Sequence, residues 1–523
     1  MDELKDIDIN KKVNPTKIVQ DTDGLSKSLT KEELEFAEHL KDARWRLDNL
    51  YWIVDKHGKK IKFKMNWAQE EVFDNLWYFS IILKARQLGM TTFFTILYLD
   101  QVLFKANVSA AIIAHTDSDS KRIFERVKFA WNNLPELLKE NIGLPKTDSV
   151  GEMAFPNGSK IFVARSTRGG TLQYLHISEF AKICAKYPDK AKEIVTGAIN
   201  SVEKGNFVTI ESTAEGRAGY FFDYCQEALN AKRENRQLTE LDFRFFFFPW
   251  WKHPDYRLHS NFVINKQDQE YFENLEKIHG ITTDTDQQRW YISKKKALSE
   301  DMYREYPSTS DEAFLASIEG AYYTNQMRKV YEEQRIRNVP WDSRIKVDTW
   351  WDLGMNDLNV ILFTQAVGNE IRFIDVYYNS GEGLGHYVNI LKSKPYTYDK
   401  HVFPHDIEVR SLDEQGKSRR QTLMDLGMLN IRTIERTSDI NDDIEAVRKL
   451  FSRFYFDESK TSELIDAINT YQKEWDDKLG QFKNKPRHDK ASHLVDPLRL
   501  IGRGWTQHMI GQQKGETQTV SFF

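Results

Sequence analysis

The stretch Ile81-Ile82-Leu83-Lys84-Ala85-Arg86-Gln87-Leu88-Gly89-Met90-Thr91-Thr92 decides the reading of this chain. An apolar strand signal, Tyr78 to Leu83, enters a short polar turn, and Gly89 with two threonines then opens a helix-compatible run to Phe104. Strand, loop and helix in that order turn backbone N–H groups and the positive end of a helix toward a polyphosphate, while a threonine hydroxyl holds Mg²⁺. The common pattern G-x-x-x-x-G-K-[ST] needs Gly at 84 and Lys at 90, whereas the sequence has Lys84 and Met90. The cation has changed places: Lys84, or Arg86 as second candidate, reaches the phosphates from the loop entrance. Thr91 takes the magnesium role, with Gly89 and Thr92 in the same loop. Gly-Met-Thr-Thr before a helix is also an ordinary strand-to-helix turn, so the neighbouring elements carry the decision.

Leu172-Gln173-Tyr174-Leu175-His176-Ile177-Ser178-Glu179 is an apolar strand that ends on a carboxylate. Beside the phosphates Glu179 polarises the attacking water, because a base must stand within hydrogen-bond reach of its nucleophile. The position before such a glutamate normally carries a magnesium-linked aspartate, and here it is Ser178. Val208-Thr209-Ile210-Glu211-Ser212-Thr213-Ala214-Glu215-Gly216 is another strand ending in small hydroxylated residues, with Ser212 and Thr213 suited to sensing a γ-phosphate. Upstream, the Gln69 amide is both donor and acceptor, as an adenine edge requires. In the basic turn Arg165-Ser166-Thr167-Arg168-Gly169-Gly170, Arg165 or Arg168 offers a charge-stabilising arginine to this or a neighbouring subunit's ATP.

Between Tyr51 and Phe222, short apolar runs at Ser80–Leu83, Ser109–Ala114, Ser159–Ala164, Tyr174–Ile177 and Asn206–Ile210 alternate with amphipathic helical stretches, the pattern of an α/β domain with a largely parallel sheet. Thr30 reads as the N-cap of a helix running to about Leu50. Residues 223–340, including Phe243-Arg244-Phe245-Phe246-Phe247-Phe248-Pro249-Trp250-Trp251, read as helical and aromatic-rich without strand alternation. A length of 523 residues suggests two domains or slightly more. With 74 Lys+Arg against 78 Asp+Glu, the net charge of −4 excludes a global basic field, so any DNA contact is local. Cys184 and Cys225 are the only cysteines, which excludes a disulfide framework and a cysteine zinc site and fits a reducing cytoplasm. No run approaches the ~20 apolar residues of a membrane span.

From Ile345 the pattern is strand, strand, strand, helix, strand through Phe403, then two longer helical segments reaching about Gly502. Asp352 lies on the apolar strand of Val347-Asp348-Thr349-Trp350-Trp351-Asp352, and a strand rarely buries a carboxylate without a partner or a metal. His401-Val402-Phe403-Pro404-His405-Asp406 ends a second strand on a carboxylate, and His493-Leu494-Val495-Asp496-Pro497-Leu498-Arg499 puts a third on a terminal helix. Three carboxylates from two strands and a helix can converge, and oxygen-only ligands suit Mg²⁺ or Mn²⁺ for phosphodiester cleavage. Asp357, Asp375, His405, Asp489, His493 and His488 are candidates for additional or outer ligands.

Together, the loop Lys84 to Thr92, His176-Ile177-Ser178-Glu179-Phe180, Ser212-Thr213-Ala214-Glu215-Gly216, Phe248-Pro249-Trp250-Trp251, Glu305-Tyr306-Pro307, and Asp352-Leu353-Gly354 with Asp406 and Asp496 resemble the large terminase subunit of tailed bacteriophages over residues 60–505. The resemblance implies an α/β fold class: an N-terminal helical extension (1–59), an ASCE-type P-loop ATPase domain with a helical subdomain (60–330), a ribonuclease H-like nuclease domain (331–505) and a flexible tail (506–523). It implies ATP-driven movement of double-stranded viral DNA into a procapsid and metal-dependent cutting of concatemers in the host cytoplasm. The implied partners are the portal protein, a small terminase subunit and further copies in a ring, commonly a pentamer, with no membrane. By carry-over Thr91 contacts Mg²⁺, Lys84 or Arg86 the phosphates of ATP, Glu179 the hydrolytic water and Gln69 the adenine. Thr213 couples hydrolysis to motion, and Asp352, Asp406 and Asp496 bind Mg²⁺ or Mn²⁺ in the nuclease. A DNA helicase or translocase would share the first block but bring a second ATP-binding lobe; a transposase-like nuclease would share the carboxylate trio without needing Lys84 to Glu179.

Overall fold

The computed structural model describes residues 31–506 apart from 165–169, 218, 300, 315–319, 355–357, 409–416, 436, 438, 477, 478 and 480. Thr30, Arg165, Arg168 and Asp357 therefore lie outside the described residues. The chain divides into two units, Met1–Ala316 and Ser317–Phe523.

In the first unit, α1 (Trp67–Asp74) precedes the loop strand, and eight strands form one sheet: β1 (Phe79–Lys84), β2 (Ser109–Ile113), β3 (Thr147–Asp148), β4 (Glu152–Ala154), β5 (Lys160–Val163), β6 (Leu172–Ser178), β7 (Val202–Ser212) and β8 (Phe243–Phe248). Their order is β8-β1-β7-β6-β2-β5-β4-β3, parallel from β8 to β5 and antiparallel beyond. All six residues of β1 are buried, as befits a strand covered on both faces. Ile82 packs with Phe93 and Leu97 of α2 (Met90–Phe104) on one face, while Ile81 and Leu83 share the other with Phe180 and Ile183. Further along, α3 (Asp117–Asn132) follows β2, and α4 (Phe180–Lys186) follows β6. The strand inserted between β1 and the Glu179 strand β6 is β7, the arrangement of an ASCE-type ATPase. It sets the carboxyl ends of β1, β7 and β6 side by side, where parallel sheets bind ligands.

Two expectations change. Phe243–Phe248 is not helical but the edge strand β8, paired with β1 from Phe243↔Phe79 to Phe248↔Lys84. A short apolar run has no period that separates strand from buried helix, and its aromatic side chains suit a pleated surface. The helix expected to reach Leu50 breaks into Lys31–His39 and Ala43–Leu50, because Asp42 accepts from Arg44 N at 3.0 Å and caps a new start. Beyond β8, helices including α5 (Asp301–Glu305) build a small aromatic core of Trp250, Tyr256, Phe272, Tyr291 and Tyr306 that takes in Ala85 of the loop.

The second unit's sheet contains β9 (Ile336–Arg337), β10 (Val347–Asp352), β11 (Asn359–Val367), β12 (Glu370–Asn379), β13 (Tyr398–Pro404), β14 (Ile431–Ile434) and β15 (Phe454–Asp457). Its order is β9-β15-β12-β11-β10-β13-β14, with β10, β11 and β12 antiparallel and β13 and β14 added parallel to β10. Three antiparallel strands extended by two parallel ones on the first strand's side make a ribonuclease H-like sheet. The expected run of three strands, helix and strand is present, with Leu384–Ser393 as the helix. β14 and β15, four residues each, were too short to show a period of their own. Against one face pack α6 (Ile440–Leu450) and α7 (Lys490–Thr506), through Ile444, Val447, Leu494 and Leu498.

Candidate active sites

The loop between β1 and α2 turns on two left-handed residues, Gln87 (φ 62°) and Gly89 (φ 68°). Glycine suits position 89 for a second reason: a Cβ there would stand 2.8 Å from Gln69 Nε2 and push that side chain from its place. That amide nitrogen donates to Gly89 O at 3.0 Å and Leu88 O at 3.3 Å, while Gln69 Oε1 accepts from Asn66 N at 3.0 Å in the capping box of α1. Gln69, expected to read adenine, is thus buried and committed to the loop backbone as a brace. The first helical bond of α2 runs from Phe93 N to Gly89 O, so the N–H groups of Met90, Thr91 and Thr92 have no acceptor within the helix and form its positive end.

At the carboxyl end of β1, Lys84 is 6% exposed, with Nζ 3.3 Å from Glu179 Oε1 and 3.2 Å from Glu211 Oε2. Burial opposes its charge, but Glu179 and Glu211 outweigh burial and hold its pKa above the ordinary lysine value. Glu179 begins α4 with left-handed backbone (φ 56°), and its N–H donates to Glu211 O at 2.7 Å. Lys182 Nζ lies 3.1 Å from its other oxygen. Such backbone strain in a non-glycine residue persists where the surroundings over-determine it, often at active sites.

Glu211, which was not among the expected site residues, is fully buried on β7. Its Oε1 accepts from Thr91 Oγ1 at 2.7 Å and from Ser178 Oγ at 2.7 Å, with His176 Nε2 at 3.5 Å. Burial pushes its pKa up, and the stronger combined pull of Lys84, His176 and Ser178 holds it well below the usual carboxylate range. The signal that marks Glu179 and Asp352, an apolar strand ending on a carboxylate, is present in Val208-Thr209-Ile210-Glu211 as well.

The remaining expected residues separate into occupied and free. Ser212 Oγ accepts from Ala181 N at 3.2 Å, and Thr92 Oγ1 from Arg126 of α3 at 3.0 Å. Thr213 Oγ1 is buried without a hydrogen-bond partner among the described residues. Arg86 is turned to Glu305, with Nε 2.8 Å from Oε2 and its backbone N–H donating to Glu305 O at 3.0 Å. Arg304 then joins Glu305 (3.5 Å) to Glu215 (2.9 Å), a charge chain from the loop to the segment after β7. Of the two candidate cations, Lys84 faces the carboxylates and Arg86 does not. Oxygens of Thr91, Ser178 and Glu211 beside a helix N-terminus, with Lys84 at hand and Thr213 unpartnered, form a donor set that fits Mg²⁺ and a polyphosphate.

In the second unit, Asp352 closes β10 and Asp496 projects from α7, which packs on that strand. Burial raises the Asp496 pKa, Arg499 at 2.6 Å opposes it, and Asp352 raises it further. His493 Nδ1, one turn earlier, lies 3.6 Å from Asp352 Oδ2. Its ring is 4.7 Å from that of His488. The pairing Trp350↔Val402 sets Asp352 and Asp406 at the same end of adjacent strands, yet the half-exposed Asp406 pairs with His405 Nε2 at 2.8 Å. Among the described residues no three His, Cys, Asp or Glu side chains stand close enough to hold a metal ion. The expected trio of Asp352, Asp406 and Asp496 is therefore not gathered into a metal site among the described residues: Asp352 lies beside His493 and Asp496, and Asp406 is paired with His405. Asp375 is bonded to Lys394 (2.6 Å) and Tyr396 (2.9 Å), and Asp489 to Arg487 (2.6 Å). Among the described residues no helix is long and apolar enough to cross a membrane.

No family model and no curated protein matches the chain. Among solved structures, the HK97 bacteriophage large terminase is 12% identical, with 89% of this chain and 98% of that chain covered and a TM-score of 0.42. The large terminase of the thermophilic bacteriophage D6E in complex with ATP-gamma-S is 14% identical over 84% of this chain and 98% of that chain, with a TM-score of 0.27. The P22 large terminase nuclease domain is 15% identical over 34% of this chain and 89% of that domain, with a TM-score of 0.26. The fold rests on the two sheet orders rather than on these likenesses. The three solved structures are nonetheless all large terminases, the family that the sequence motifs resemble.

Proposed function

We propose that this chain is the large terminase subunit of a tailed bacteriophage, an ATPase that drives double-stranded DNA into a procapsid and a metal-dependent endonuclease that cuts the concatemer. The observation that carries the reading is the cluster of Lys84, Glu179, Glu211 and Thr91 at the carboxyl ends of three neighbouring parallel strands. In this reading the N–H groups of Met90 to Thr92 cradle the phosphates and Lys84 leaves its carboxylates to pair with them. Glu179, freed of Lys84, orients the attacking water and takes its proton. Thr213 senses the γ-phosphate, and the chain Arg86–Glu305–Arg304–Glu215 passes that state to the helical segment. Thr91 would hold Mg²⁺, which when bound neutralises charge developing on the β- and γ-phosphate oxygens.

In the second unit Asp352 and Asp496 would hold Mg²⁺ or Mn²⁺, with Asp406, at the same end of the neighbouring strand, joining them on leaving His405, and the ions would supply an activated water for phosphodiester cleavage. The near-neutral charge suits a motor that makes weak, salt-sensitive phosphate contacts along any sequence. A portal protein, a small terminase subunit and further copies of the chain in a ring are its partners in the host cytoplasm, with Arg165 or Arg168 acting across subunits. The test is ATP turnover by the full chain with and without duplex DNA. Turnover lost in Lys84→Ala supports the reading; turnover unchanged by that substitution, or absent from the folded protein, overturns it.

A further inference from the structure

We propose that Glu211 supplies, from the adjacent strand, the acidic magnesium-holding group that Ser178 lacks. The inference deepens the ATPase reading and rests on it. In P-loop enzymes the ion is held by the loop threonine or serine and by an aspartate at the end of a neighbouring strand. Here the threonine is Thr91, and the residue at the strand end before Glu179 is Ser178, whose hydroxyl carries no charge. Ser178 and Glu211 face each other in the parallel register of β6 and β7, about 4.8 Å apart in backbone. Glutamate is one methylene longer than aspartate and spans that step. One oxygen of Glu211 collects both hydroxyls that would flank the ion, Thr91 Oγ1 and Ser178 Oγ at 2.7 Å each, and these hydroxyls are 3.2 Å from one another.

The fold alone gives no reason for this charge. Glu211 sits between Ile210 and Ser212 on the buried carboxyl end of β7, where an apolar side chain would carry no desolvation cost and a buried carboxylate is costly unless compensated. Among the described residues Lys84 is its nearest cation and is shared with Glu179, with His176 Nε2 at 3.5 Å. A serine in place of the usual aspartate and a glutamate one strand over amount to the same acidic group moved sideways.

The experiment compares the affinity of the full chain for a fluorescent, non-hydrolysable ATP analogue in Mg²⁺ and in EDTA. The unaltered chain is expected to bind more tightly with Mg²⁺ than in EDTA. Glu211→Gln is expected to lose that Mg²⁺ enhancement, read as the ratio of affinities in Mg²⁺ and in EDTA, and adding Ser178→Asp to it restores the ratio. A Glu211→Gln chain with undiminished enhancement overturns the assignment, as does a folded double variant without recovery. Where Glu211→Gln alone fails to fold because Lys84 loses a partner, the double variant, which returns the negative charge, decides by the same criterion. No analogue binding by the unaltered chain overturns the ATPase reading itself, an outcome distinct from failure of the Glu211 assignment.

Discussion

Lys84 Nζ stands 3.3 Å from Glu179 Oε1, so the cation suited to a phosphate and the carboxylate suited to water neutralise each other in this structure. A ligand that draws Lys84 away exposes the Glu179 carboxylate at the same moment. Glu179→Gln keeps the size of the side chain and removes the base. We predict ATP turnover lower by about 10²–10⁴-fold, the usual weight of a positioned base, with plasmid cleavage by the second unit unchanged. Normal turnover in this variant would remove Glu179 from the mechanism.

Gly89→Ala adds a Cβ where Gln69 Nε2 is 2.8 Å away and at a φ of 68°. The left-handed conformation alone costs a non-glycine residue about 1–2 kcal/mol. Loosening the brace adds to this. The prediction is weaker nucleotide binding together with a lower thermal midpoint, read by titration and calorimetry.

Arg304 compensates two buried carboxylates, Glu215 and Glu305. Arg304→Leu leaves both without it, which for buried pairs costs about 3–5 kcal/mol. Glu215 is pushed up to about 7 by burial against the pull of Arg304, so it can shed its charge by taking a proton. Denaturant unfolding should therefore show a larger loss at pH 8.5 than at pH 6; an equal loss at both would exclude Glu215 from the effect.

His401 is buried on β13 with Nδ1 2.7 Å from Thr349 Oγ1, and burial lowers its pKa from 6.5 to about 4. The unfolded chain binds this proton more tightly than the folded one. Its contribution to stability is therefore complete above 6.5 and lost as pH falls toward 4, about 3 kcal/mol in all. His401→Gln should flatten the fall in thermal midpoint between pH 7 and pH 4.5; an unchanged slope would assign the acid sensitivity elsewhere.

Much of the fold was legible because its long strands are apolar and bounded by clear turns, as in Phe79–Lys84 and Asn359–Val367. Phe243–Phe248 was not, since an unbroken aromatic run carries no alternation, and only its place beside β1 makes it a strand. Within the sites, Lys84, Thr91 and Glu179 could be read from their order along the chain. Glu211 and the Arg304 chain could not be weighed from order alone, because their meaning lies in partners 120 and 89 positions away. Gln69 shows the reverse case: its amide was visible in sequence, but which carbonyl groups would claim it was not.

The central claim is that one chain pairs the ATPase with a metal-dependent nuclease. Its most direct test is incubation of the full protein with supercoiled plasmid in Mn²⁺, in EDTA, and with Asp352→Asn in Mn²⁺. Nicked and linear product is expected only from the unaltered chain with metal. Cleavage that survives EDTA or Asp352→Asn, or no cleavage by the folded protein in Mn²⁺, would contradict it.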